Sequence, residues 1–392
     1  MFIGRPEKSM SEISISNHDV DVLEKRFTCW NSLPMELKVK VVRNLPYPTL
    51  RNFMFLSKEC MEIALLLKAS VHAVFLLDAE YGGRSGSFAK IVVNDKLRKS
   101  YTIGFEGKGR SCIARRIRNR GQNMAKGLEY PMESCYAVSM RVLFQIAKNL
   151  KPENVVLELA NVGVVKETLR KLPSTLSITC GALTVRSTDL SFLSMLLPHV
   201  TPGCELRIDG RIMNPCLFIT SRYSFIVKRN NLTSRVFDLE VVKAAPFIRS
   251  VVDCDINDEQ LVHLRASELH LRAPRISEKG LNGLILQWMK GSRKIVRICI
   301  VEKTFNFDMI FENVDKSKVQ SSSLELLQIP FFDKYVKIRP PHERLALVRN
   351  ELGDQLLVNI SWKFCEIMDP YAEYMSQNYE FASFQTTSFW SP

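Results

Sequence analysis

From Leu33 onward the apolar residues of this chain recur at helical spacing. Leu37, Val41 and Leu45 stand at i, i+4 and i+8, with Val42 filling the same side, which predicts a short amphipathic helix. Pro46 and Pro48 predict where it ends. Thr49 is then placed to cap a second helix, whose apolar face is Leu50, Phe53 and Met54. Ser57 opens a third, with Cys60, Ile63, Ala64 and Leu67 on one side. Helices this short bury too little surface to stand alone, so the unit calls for a partner or for the domain that follows.

Beyond it the period changes. Residues 71–150 mix strand-like runs ("VHAVFLL", "KIVVND") with glycine-rich turns, and a helical pattern over about 134–150 closes the region. From 151 to 375 short strand-like runs recur at 155–159, 182–185, 205–208, 224–227, 248–252, 268–271, 295–300 and 324–329. Helical stretches at 188–200, 237–247 and 277–291 lie between them, the last with Ser277 as its cap and Gly291 as its stop. Strand, loop and helix repeated in this way predict an α/β chain whose C-terminal part is an irregular, leucine-rich-repeat-like solenoid; a compact α+β domain is the alternative. The polar, aperiodic residues 1–26 read as a disordered tail, 27–70 as the helical unit, 71–150 as a β-containing connector and 376–392 as a second tail.

Charge alters this picture at one place. The chain carries a formal net charge of +13 over 392 residues, and residues 96–126 hold ten Lys/Arg against one acidic residue. Arg115, Arg116, Arg118 and Arg120 could meet phosphates or an acidic partner there, yet Tyr101 and Phe105 are the only aromatics nearby. A solvated connector is the simpler reading, and nucleic acid is the lesser expectation. The ten cysteines lie far apart, with no C-x-x-C pair, and several sit in apolar runs. Such thiols suit a reducing cytoplasm or nucleus. The most apolar stretch, Met61–Leu77, is broken by Glu62, Lys68 and His72, which argues against a membrane span.

No catalytic motif emerges. "GFEGKGRS" lacks phosphate-loop spacing, "GGRSGS" does not complete a nucleophile elbow, and the six histidines are scattered. Neither a metal nor a cofactor is implied, and no enzyme is expected. The strands suggest something else. If Leu183/Val185, Leu206/Ile208, Leu269/Leu271 and Ile298/Ile300 point inward, alternation sends Arg186, Arg207, His270, Arg272 and Arg297 outward. On a solenoid those positions line the face where a protein target binds.

Residues 30–67 resemble an F-box. Trp30, Leu33-Pro34, Glu36, an apolar helix to Leu45, a proline break, Leu50 and "LSKEC" carry the likeness. The order of elements is similar to the nematode F-box families, and "LHLRAPRISEKGLNGLILQWMKGSRKIVRICIV" (269–301) is similar to their F-box-associated region. The resemblance implies a non-catalytic, substrate-recognition subunit of an SCF-type ubiquitin ligase. Its partners would be the adaptor subunit, a cullin held through it, and a protein target. The adaptor-binding residues implied are Leu33, Pro34, Glu36, Val41, Val42, Leu45, Leu50, Phe53 and Met54. Two rival readings are a nucleic-acid-binding protein using 96–126 and a scaffold whose N-terminal helices cap the first repeat.

Overall fold

The computed structural model of the chain describes residues 30, 32–45, 47–54, 56–67, 71–77, 88–95, 100–117, 127–159, 162–210, 231–301, 303–321, 344–361 and 363–370. The expected tails (1–26 and 376–392), the strand-like runs at 224–227 and 324–329, Arg118 and Arg120 lie outside these residues. The chain is a mixed α/β protein in two units, Met1–Ser70 and Val71–Pro392.

Among the described residues the first unit holds three short helices, α1 (Met35–Arg43), α2 (Tyr47–Met54) and α3 (Lys58–Leu66). Ser57 caps α3 by accepting from the Cys60 N–H at 3.1 Å. The start of α2 differs from expectation, because it begins at Tyr47 rather than after Thr49. A proline in the first turn has no N–H to lose there, so Pro48 starts this helix instead of delaying it.

The second unit is built on one sheet of fifteen strands. Its middle is a parallel run laid down in chain order: β6 (Asn154–Leu159), β7 (Ala182–Ser187), β8 (Glu205–Asp209), β9 (Phe247–Asp253), β10 (Glu268–Arg272) and β11 (Arg297–Val301). Four antiparallel strands complete one end: β12 (Val319–Ser321), β13 (Arg344–Arg349), β14 (Gln355–Ser361) and β15 (Phe364–Met368), with β15 against β11. At the other end β1 (Val71–Leu77) runs parallel to β6 and leads into an antiparallel meander. That meander comprises β2 (Phe88–Asp95), β3 (Ser100–Lys108), β4 (Ser111–Ile117) and β5 (Leu128–Tyr130). Residues 71–150, expected as a connector, thus supply five strands and a helix to this same sheet.

The helices follow chain order too. They are α4 (Cys135–Leu150), α5 (Val162–Lys171), α6 (Leu193–Leu196), α7 (Ser234–Phe237), α8 (Glu240–Lys243), α9 (Asp258–His263), α10 (Glu278–Met289) and α11 (Phe307–Ile310). Most pack against the next in line: α4 on α5, α5 on α6, α6 on α7, α7 on α8, α9 on α10 and α10 on α11. The expected helix over 237–247 is instead two single turns, one ending at Phe237 and one over Glu240–Lys243, with Pro246 and the start of β9 limiting the second.

Strand alternation locates the core. Leu183, Val185, Leu206, Ile208, Ile248, Leu269, Leu271, Ile298 and Ile300 are all buried, on the face opposite the charged side chains. Each contributes about 2 kcal/mol by leaving water. From the helices, Phe144, Leu193, Phe237, Leu261, Leu284, Ile285 and Trp288 are buried as well. Asn282 is buried within α10, and its amide donates to the carbonyls of Ile310 (2.7 Å) and Glu312 (2.6 Å), fixing the turn around α11.

The join between α9 and α10 leaves no spare volume. Asn257 and Gln260 form a capping box on α9. The Asp258 carboxylate accepts from the Ser277 N–H at 2.8 Å and from its hydroxyl, while Ser277 caps α10. A Cβ on Gly280 would stand 2.4 Å from Asp258 Oδ1, whereas one on Gly163 in α5 would meet nothing within 4 Å. Gly280→Ala should therefore destabilise the fold by about 1–3 kcal/mol, and Gly163→Ala should leave it unchanged or stabilise it by up to about 1 kcal/mol. Urea midpoints of the two variants check this.

Candidate interaction surfaces

The sequence pattern of α1 defines an apolar stripe but not the side that is covered. Val42 is buried, as are Leu50 on α2 and Cys60, Ile63 and Ala64 on α3. Beside Val42 the buried position is Lys38, whose ammonium lies 2.5 Å from Glu59 and 5.7 Å from the centre of the Trp30 ring. Trp30 in turn meets the Phe53 ring edge-on at 5.6 Å. Burying a lysine requires such compensation, and the acid and the ring face supply it. The neighbouring face stays uncovered, with Leu37 44% and Val41 43% exposed. Four residues apart, these two side chains share one side of the helix.

The other residues singled out on this unit divide clearly. Pro34 occupies the position before α1 and is exposed, as is Glu36 in the first turn. Leu33, Leu45 and Phe53 are partly exposed. Met54 ends α2, and its side chain lies outside the described residues. Met35, Leu56 and Leu66, which the sequence pattern did not single out, are exposed large apolar side chains as well.

On the basic stretch, β3 and β4 form a hairpin. Arg115 is paired with Glu106, and the Arg116 guanidinium stacks 4.8 Å over the Tyr101 ring. Both described arginines of the "ARRIRNR" run are thus engaged within the hairpin itself.

The parallel run brings Arg186, Arg207, His270, Arg272 and Arg297 onto one face of the sheet, all partly exposed. Each arginine meets an acid. Arg186 lies 3.7 Å from Glu158 on the next strand, and Arg207 lies 2.7 Å from Glu205 on its own. Arg272 lies 2.5 Å from Asp253 and Arg297 2.7 Å from Glu366, each on a neighbouring strand. These carboxylates, together with Arg249 and Phe247, were missed as members of the surface. The outward positions in "VVLEL" and "FIRSVVD" could have revealed Glu158, Phe247 and Arg249. Glu366 could not be found that way, because nothing local reports that β15 sits beside β11.

Register orders these groups into rows. Arg207, Arg249, His270, Cys299 and Glu366 are successive cross-strand partners over five strands. Phe247 lies beside the row, 5.4 Å from the Arg207 guanidinium and 6.2 Å from the His270 ring. Enclosure perturbs the row. Burial pushes the Arg249 guanidinium below its usual value against the pull of Asp209, and Arg207 lowers it further. Burial, with Arg297 adding to it and Glu366 opposing, holds the His270 imidazole down at about 3. Burial also raises the Glu158 carboxyl, partly offset by Arg186, and raises Glu268, helped by the neighbouring Glu205. The face is a set of self-compensated ion pairs around a neutral histidine. It offers hydrogen-bond donors and acceptors, and among the described residues no cluster of His, Cys, Asp or Glu could hold a metal. Among those residues, too, no helix is long and apolar enough to cross a membrane.

The described chain is a mixed α/β protein with a small helical unit and one long sheet. No protein-family model, curated protein or solved structure matches it.

Two consequences are measurable. Between pH 6.5 and about 3 the unfolded chain binds a proton at His270 that the folded chain refuses, so this group makes stability fall as the solution is acidified. Glu158 and Glu268 act in the opposite sense but are common to both proteins compared. The urea midpoint of the native chain should drop more steeply from pH 7 to pH 4 than that of His270→Asn. Glu366 is only 1% exposed, so Arg297→Ala removes a paired cation from a buried carboxylate and should cost about 3 kcal/mol. Arg297→Met combined with Glu366→Leu should recover most of that loss, as read by thermal unfolding.

Proposed function

We propose that residues 30–67 are an F-box and that the chain is a substrate-recognition subunit of an SCF-type ubiquitin ligase. In this reading it binds the adaptor subunit, and a cullin through it, by the helical unit. It holds a protein target on the charged face of the parallel run, which acts as an irregular leucine-rich-repeat-like solenoid. The chain performs no chemistry of its own. Its contribution is to raise the local concentration of target beside the ubiquitin-carrying enzyme.

The observation that carries the reading is the coincidence, on one short helix, of the Leu33-Pro34-x-Glu36 opening with the uncovered pair Leu37 and Val41. Apolar side chains left in water four residues apart are what a partner's groove would cover. Strand order supports the second half. Parallel neighbours taken in sequence, each backed by its own crossover, present a continuous face whose outward side chains are free to vary without disturbing the core. The engagement of Arg115 by Glu106 and of Arg116 by Tyr101 favours a protein partner over nucleic acid.

Replacing Leu33 and Pro34 by alanine, or Val41 by aspartate, should lower co-purification of the adaptor and cullin from cells by about tenfold or more, corresponding to at least roughly 1.4 kcal/mol of binding. The far-ultraviolet spectrum and the unfolding midpoint of the sheet unit should stay unchanged. Undiminished adaptor capture by all of these variants would refute the reading.

A further inference from the structure

The parallel strands are entered from one rim of the sheet, where the helices that precede them end. Three neighbouring connections on this rim carry cations. Lys243 closes α8 ahead of β9, Arg265 follows α9 ahead of β10, and Lys290, Arg293 and Lys294 lie between α10 and β11. Backbone bonds lock the three connections together. The Arg265 N–H donates to Lys243 O at 2.8 Å, the Ser267 N–H to Pro246 O at 3.1 Å and the Val296 N–H to Ser267 O at 2.9 Å. The Arg293 guanidinium reaches back to Ala266 O at 3.0 Å and to Val262 O at 3.5 Å. The five cations thus form one group, although they come from three separate stretches of chain.

This group differs from the charged face of the sheet. There Arg186, Arg207, Arg272 and Arg297 each meet an acid; here, among the described residues, none of the five cations takes part in an ion pair. Arg265, Lys290 and Lys294 are exposed, and Lys243 and Arg293 are half-buried. The acids of these elements lie apart from the group. Glu240 and Glu259 stand back in α8 and α9, and Glu268 feels Arg297 and Arg207 on the charged face. Asp369 meets the rim through its N–H, which donates to Val296 O at 3.0 Å. Burial brings the Arg293 guanidinium down to about 10 with no carboxylate opposing it, and its Nε is buried without a hydrogen-bond partner among the described residues. A helix C-terminus favours a nearby cation, but that preference does not call for three of them after α10. Cations gathered and left unpaired set up a positive potential that attracts a polyanion.

We propose that this rim is a docking surface for an acidic, extended segment of a partner protein. The dimensions match. Adjacent strands stand about 4.8 Å apart, so the three entries span roughly 10 Å. An extended peptide returns a side chain to the same side about every 7 Å, so two or three acidic residues at alternate positions cover the group. The lysine ammoniums act on them as point charges, and the exposed Arg265 fork can take one carboxylate through two parallel hydrogen bonds. The described residues of the three connections expose no Phe, Tyr or Trp, which leaves the bases of a nucleic-acid strand no ring to stack on. The surface lies at the strand entries rather than on the face that carries Arg207 and Arg297. It is independent of the F-box reading.

The test uses the full-length chain and a short dye-labelled peptide of alternating glutamate and serine, with binding read by fluorescence anisotropy at physiological salt. The glutamate peptide should bind, its glutamine counterpart should not, and added sodium chloride should weaken the complex. Arg265→Glu, Lys290→Glu and Lys294→Glu together should weaken binding about tenfold or more. Lys279→Glu, Lys316→Glu and Arg349→Glu change the net charge equally from other exposed positions of the same unit and should leave binding within about threefold. Where reversal lowers the urea midpoint, glutamine at the same positions takes its place, and the two triple variants should keep the same order. Three results overturn the proposal: a glutamate peptide bound no better than the glutamine one, equal losses in the two triple variants, or a single-stranded oligothymidylate that binds the rim more tightly than the peptide. The comparison of peptides on the native chain decides the matter even where a variant fails to fold.

Discussion

When parallel strands are laid side by side in chain order, each connection must leave the sheet, form its helix and return on the same side. That constraint governs most of what is seen in residues 71–392. One face of every strand is roofed by helices, so alternate side chains must be apolar, as Leu183, Leu206, Ile248, Leu269 and Ile298 are. The other alternate positions stand on a face these helices do not cover, and charge collects there. Close-packed strands bring those charges within a few ångströms of one another, so they must neutralise each other locally. Glu158 with Arg186, Asp253 with Arg272 and Glu366 with Arg297 are the outcome. The neutral state of His270 follows from its burial on this crowded face, to which Arg297 and Arg249 add and which Glu366 opposes.

A sheet built this way grows until something stops it, and both ends are stopped by antiparallel strands. β2 to β5 and β12 to β15 abandon the crossover, and each series ends on a strand of three residues, β5 and β12. Short edges limit the backbone offered to a stray strand. The helical unit meets its own version of the same problem differently. With so few residues it cannot cover both sides of α1, and the covered side holds a lysine, so Leu37 and Val41 remain in water. An exposed pair of this kind is a weakness in isolation and an asset beside a partner, which is why the ligase reading rests on it.

Successive crossovers enter their strands in register, so Ile178 and Val200, which precede two neighbouring strands, form a parallel bridge although more than twenty positions of chain separate them. Such contacts are a property of the strand order rather than of either segment.

Local pattern alone determined the elements with strong periodicity and clear punctuation. The helix from Ser277 to Gly291 is an example: Ser277 caps it, and Gly291, with φ of 70°, takes the left-handed conformation that ends it. The inward and outward sides of β7, β8, β10 and β11 were equally readable, because a two-residue period needs no knowledge of the neighbours. Tertiary structure decided whatever depends on which side a neighbour occupies. It buried Lys38 beside Val42 and left Val41 out, and it drew residues 71–150 into the main sheet. It also placed Glu366 against Arg297 from a strand nearly seventy residues away. Periodicity tells that a face is apolar or charged; only the packed chain determines what that face meets.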